Sequence, residues 1–182
     1  MPIATRILDL KNINTAIKEY KDKIENIRNN IGSLQGMKLL HAIKRTPMGS
    51  GPYPGVTLFE GANRILTDLV ILYGIKHLLD NSIYKYTSYN VELGVESKND
   101  FDITAEMGSD KLAGEAFNVA PSFFPSKKST TLKKFREKAS GYSNNLLLVN
   151  NDAVKEDYSP KLGSKFIFVK VDIFSGRSEL CK

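Results

Sequence analysis

Asp102 and Glu115 are the two residues of this chain best placed to do chemistry together. They stand thirteen positions apart on two segments that alternate like strands, FDITAEM and KLAGEAFNV, separated by the turn residues GSD. A tight hairpin at that spacing sets the two carboxylates side by side on one sheet surface. Like charges held close in a partly buried place raise each other's pKa and oppose folding, and a divalent cation removes that penalty. The neighbours Ile103, Ala105, Ala113, Ala116 and Val119 are apolar, which points to a site against the core. The plainer alternative is that Asp102 opens a strand beside a turn while Glu115 faces water.

The remaining metal-ligating types are sparse. Only His41 and His77 are present, with no HExxH pattern, and the single cysteine, Cys181, stands beside the last residue of the sequence. A thiolate-rich or histidine-based zinc site is therefore not expected, and carboxylate ligands suit Mg²⁺ or Mn²⁺. Downstream, Lys127, Lys128, Lys133, Lys134, Arg136 and Lys138 fall within twelve residues, next to Phe123 and Phe124. On a helix, Lys127, Lys134 and Lys138 share roughly one side. Such a cluster suits phosphate contacts, which give affinity without sequence information, although a charge run is more often a solvated helix face. The balance of 26 Lys+Arg against 20 Asp+Glu, a formal +6, favours a polyanionic partner only weakly.

The elements that must position these residues are legible in outline. Leu10, Ile13, Ile17, Tyr20, Ile24, Ile27 and Ile31 recur at spacings of three and four. They predict one long N-terminal helix with a heptad-like seam, ending near Gly32 and Gly36. Another helix of the chain or a second copy in a dimer must cover that seam. Residues 47–55, PMGSGPYPG, predict a loop and lack the Gly-Lys-Ser/Thr ending of a phosphate-binding loop. A broad-faced helix is expected from about Val56 to Leu79, with Glu60, Arg64 and Asp68 stacked at spacings of four. Strands are expected at Tyr89–Val95, Phe101–Met107 and Lys111–Val119, forming an antiparallel meander. A basic helix follows at about Ser129–Ala139, capped by Ser129 or Thr130. Two further strands are expected at Leu146–Asn150 and Phe166–Phe174.

With this order of helix, three strands, helix and strand, residues 58–151 resemble the αβββαβ core of the PD-(D/E)xK nucleases, the superfamily of many type II restriction endonucleases. In that family one carboxylate opens the second strand and another lies in a D/E-x-K tripeptide on the third. Asp102 and Glu115 match these positions. Phe101 replaces the preceding proline, and Glu115-Ala116-Phe117 has Phe117 where the family has lysine. The resemblance implies a metal held by Asp102, Glu115 and the Ala116 carbonyl, with Lys127 or Lys128 supplying the missing cation. It also implies an acidic residue on the preceding helix, for which Glu60 is preferred over Arg64 or Asp68. The implied fold is α/β, a mixed central sheet flanked by helices, with a long N-terminal helix. The implied activity is Mg²⁺-dependent hydrolysis of DNA phosphodiesters by a homodimer acting on double-stranded DNA. A nuclease-fold subunit that binds or assembles without cutting is the competing expectation, and a structural protein built on the heptad helix is a third.

At 182 residues the chain suits a single domain, read as a helical extension over 1–46 and a core over 56–174. No apolar run is long enough to span a membrane, and the polar N-terminus does not resemble a secretory signal, so a cytoplasmic protein is expected.

Overall fold

The computed structural model describes residues 6–27, 30–94, 99–161 and 163–181. Its centre is one mixed sheet of seven strands in sequential order, β1 to β7. β1 (Arg6–Asp9), β2 (Ser88–Val91), β3 (Ile103–Met107) and β4 (Asp110–Phe117) pair antiparallel. β5 (Asn144–Asn150) runs parallel to β4, β6 (Phe166–Val171) runs parallel to β5, and β7 (Ser178–Cys181) closes the edge antiparallel. Four helices accompany the sheet among the described residues: α1 (Ile13–Glu25), α2 (Gly36–Arg45), α3 (Leu58–Asp80) and α4 (Phe124–Lys138).

The parallel strands β5 and β6 read LLLV and FVKV because both faces are covered. On one face lies α3, whose Ile65, Leu69, Leu72, Ile75 and Leu79 join Leu112, Ala116, Leu146 and Leu148 of the sheet. Close approach is needed there: a Cβ on Gly74 would stand 2.4 Å from Leu148 Cδ1. On the other face α4 packs Phe124 and Phe135 against Phe117, Leu147, Val149 and Phe168. α3 runs 23 residues. Its start is fixed by Thr57, whose hydroxyl accepts from the Glu60 amide, the T-x-x-E pattern of a capping box.

The single long N-terminal helix is not what forms. The chain begins with β1, which pairs with β2, and α1 stops at Glu25. A short 3-10 turn over Asn30–Ser33 and the separate α2 follow. The asparagines around residue 26 and the left-handed Gly36 (φ +56°) explain the interruption. The heptad seam is covered within the chain: Ile13, Ile17 and Tyr20 are buried in the core that α3 also builds, whereas Leu10 precedes the helix and is 61% exposed. Within the span expected to be a helical extension, Arg6–Asp9 joins the sheet as β1, and α1 and α2 are separate helices.

The meander β2–β3–β4 forms as expected, with β2 ending at Val91; Val95 lies outside the described residues. α4 starts five residues earlier than expected, with Pro125 in its first turn, so Ser129 and Thr130 lie inside it and do not cap it. β6 ends at Val171, and β7 completes a hairpin that the sequence pattern does not signal. Among the described residues, no helix is long and apolar enough to cross a membrane.

Candidate functional site

The register of the meander builds an acidic row. Val91 lies opposite Ile103, and Ile103 opposite Gly114. One residue further along each strand, Glu92, Asp102 and Glu115 come abreast across β2, β3 and β4. The Glu92 amide donates to the Asp102 carbonyl at 2.8 Å, which carries the β2–β3 pairing to this point. Alternation puts Glu115 on the same face as Ala113 and Phe117, the face covered by α4.

At this end of the sheet lies a cavity of about 410 Å³, lined by both helical layers. α3 contributes Asn63, Arg64, Thr67 and Asp68, and α4 contributes Lys127 and Lys134. The sheet and its loops contribute Glu92, Gly94, Asp102 and the run from Glu115 to Val119. Glu115 is buried, and Asp102 is half-buried. Asp102 Oδ2 accepts from the Ala116 amide at 3.0 Å. Glu115 Oε1 accepts from Lys134 Nζ at 2.6 Å, and the same ammonium lies 5.3 Å from the Phe101 ring centroid.

The electrostatics follow from this crowding. Burial, and then the Asp102 charge, push the Glu115 carboxyl up, with Lys134 and Lys127 pulling against them. Asp102 is also raised by burial, against the Ala116 amide and the same two lysines. Asp68 is pushed up to about 6, chiefly by burial and in smaller part by Asp102. Three neighbouring carboxyl groups thus resist ionisation, two of them despite the nearby charges of Lys134 and Lys127.

Asp68 anchors the α3 wall. Its Oδ2 accepts from Tyr20 Oη at 2.5 Å and from Tyr53 Oη, and its Oδ1 accepts from the Gly94 amide at 3.0 Å. Gly94 is left-handed (φ +92°), and a Cβ there would meet the Tyr53 ring at 3.2 Å. The backbone two residues beyond Glu92 is thereby tied to α3.

The structure brings together Asp102, Glu115, Ala116, Lys127 and Lys134 from among the residues singled out in the sequence. Of the three α3 positions weighed for an acidic residue, it brings in Asp68 and Arg64 but not Glu60, and it leaves out Lys128, Lys133, Arg136 and Lys138. Glu60 pairs with Arg64 one turn along α3 and is not part of the cavity. Lys128 donates to Tyr158 Oη at 2.8 Å and packs over the Phe124 and Tyr158 rings. Lys133 faces Glu137 at 3.7 Å, Lys138 bonds Asp100 at 2.5 Å, and Arg136 is exposed. Sequence reasoning missed Glu92 and gave Lys134 only a phosphate-binding part. A signal for Glu92 existed, since YNVEL places it at the end of the strand that pairs with Asp102.

Among the described residues, no three His, Cys, Asp or Glu side chains converge into a closed metal cage. The donor set nonetheless fits a hard cation. Asp102 and Glu115 each engage one carboxylate oxygen, and Mg²⁺ is commonly held by one or two carboxylates with water and substrate phosphate completing its shell. No family model, curated protein or solved structure matches this chain.

Proposed function

We propose that this chain is a Mg²⁺-dependent DNA endonuclease of the PD-(D/E)xK type, built on that superfamily's restriction-endonuclease-like core. The element order α3–β2–β3–β4–α4–β5 supports the reading. The observation that carries it is the contact of Lys134 Nζ with Glu115 Oε1, which puts an ammonium beside the acidic pair although Phe117 stands in the motif's lysine position.

In this reading Asp102, Glu115 and the Ala116 carbonyl hold Mg²⁺, or Mn²⁺ in its place. The bound ion supplies Lewis-acid polarisation of a phosphate and a lowered pKa for water, the requirements of phosphodiester hydrolysis. Lys134 stabilises negative charge that develops on the phosphate during attack. Lys127, on the α4 wall of the cavity, attracts the backbone of double-stranded DNA. Two copies in a homodimer would cut both strands.

The test is cleavage of supercoiled plasmid with Mg²⁺ or Mn²⁺. The wild-type chain should nick or linearise it, and Asp102→Ala or Glu115→Ala should abolish cutting while the circular dichroism spectrum stays native. A chain that binds duplex DNA but never cuts it, with either ion, would instead be a nuclease-fold binding subunit.

A further inference from the structure

We propose that α2, with the Phe59–Asn63–Thr67 stripe of α3, forms a second phosphate-binding surface that grips duplex DNA on the α3 side of the cavity. The inference rests on the nuclease reading given above and adds an element which that reading does not use.

α2 carries Lys38, Lys44 and Arg45, together with His41, and no acidic residue. All four side chains are exposed, and none forms an ion pair among the described residues. The basic helix α4 contrasts with it. There Lys133, Lys134 and Lys138 each face a carboxylate and Lys128 is held by Tyr158, leaving only Lys127 and Arg136 without such a partner. The richest run of cations in the sequence is therefore largely neutralised, while the shorter one is available.

The geometry joins this surface to the cavity. Lys44 Nζ sits 3.5 Å from the centroid of the Phe59 ring, at the start of α3. Phe59, Asn63 and Thr67 follow at intervals of four and so lie on one face of α3. Asn63 and Thr67 line the cavity. One unbroken helical stripe thus leads from the acidic pair to the ammonium of Lys44, with about 6 Å between successive members. On α2 itself, spacings of three and four set Lys38, His41 and Arg45 in a row along the outer face. Basic side chains on α2, joined through Lys44 and Phe59 to a helical stripe that enters a cavity holding acidic residues, are complementary to a polyphosphate strand that crosses the site and continues beyond it.

The test uses the full chain and a mixed-sequence duplex of about 30 base pairs without divalent cation, followed by fluorescence anisotropy between about 50 and 200 mM salt. The triple variant Lys38→Ala/Lys44→Ala/Arg45→Ala should bind on the order of tenfold more weakly or worse. Its slope of log affinity against log salt should fall by about 2 to 3. Lys38→Ala alone, a change at an exposed position, should lower the slope by about 0.9 and guards against a folding defect. An unchanged slope in both variants, with wild-type chain that binds and cuts, overturns the α2 surface and leaves the nuclease reading intact. Wild-type chain that binds through α2 yet never cuts overturns only the nuclease reading. If Met37→Ser/Leu40→Ser converts a dimer to a monomer while the triple variant keeps the salt slope, α2 is a contact between copies and the proposal falls.

Discussion

In the proposed nuclease reading Phe117 occupies the motif's lysine position, and Lys134 from α4 supplies the ammonium beside Glu115. Phe117 points to the same face as Glu115, but it is buried against Phe124 (centroids 6.1 Å apart) and helps seat the start of α4. That helix returns the cation: Lys127 and Lys134 flank buried Thr131 on one stripe and both reach the cavity. Under the proposed function, Lys134→Ala should lower the single-turnover rate of plasmid cleavage by about 10²- to 10³-fold, the usual cost of losing a charge-stabilising donor. Lys134→Arg should keep part of the rate. Lys128→Ala should cost far less, because that ammonium is spent on Tyr158; a larger loss from Lys128→Ala than from Lys134→Ala would exchange their roles. The acidic pair was legible because a hairpin register follows from turn length. Which of six cations faces the sheet was not, since it depends on the rotation of α4, set by aromatic packing from four distant segments. Glu60 misled for a local reason: its amide bonds Thr57 at the helix start and its carboxylate is taken by Arg64 one turn on.

Asp68 links four separate elements. Tyr20 comes from α1, Tyr53 from the 47–55 loop, Asp68 from α3 and Gly94 from the segment after β2. The loop thus acquires a task that its Pro/Gly composition does not announce, since Met48 and Tyr53 are buried under α3's first turns. Removing one donor should be measurable: Tyr53→Phe should cost about 1 to 2 kcal/mol in urea unfolding, and Asp68→Ala more, because it strands two hydroxyls and one amide. A neutral Tyr53→Phe would show that the bond to Tyr20 alone holds the joint. Long elements with clear periodicity, α3 and the strands β3 to β6, could be read from the sequence to within a few residues. β1 and β7 could not: each has four residues, and β1 buries only Leu8. Segments that short exist because neighbouring strands offer them hydrogen bonds, a tertiary cause with no local pattern. The N-terminal periodicity was real, but helix-breaking residues cut it after α1.

The whole molecule sets two helical layers against one sheet and leaves the carboxyl groups of Asp68, Asp102 and Glu115 crowded where the layers part. Each is raised above its ordinary range, so the folded chain binds protons more tightly than the unfolded chain does. The sign follows for these three groups: without a divalent cation, the stability they contribute is fully present below the unfolded carboxyl value near 4 and is lost as pH rises to about 6, the folded value for Asp68. For Asp68 alone the loss is on the order of 3 kcal/mol. A cation bound by Asp102 and Glu115 reverses part of this, since it needs the ionised pair and relieves their repulsion. Thermal melts should therefore show Mg²⁺ at about ten times its dissociation constant raising Tm by a few degrees at pH 8, from about 1.4 kcal/mol of linkage. At pH 4.5 the same Mg²⁺ should do little, because protons already occupy the pair. Asp102→Ala should abolish the increment at pH 8. If the wild-type melts are indifferent to Mg²⁺ and Mn²⁺ across this range, the pair is no cation site, and the crowded carboxyl groups must instead be balanced by Lys127 and Lys134 alone.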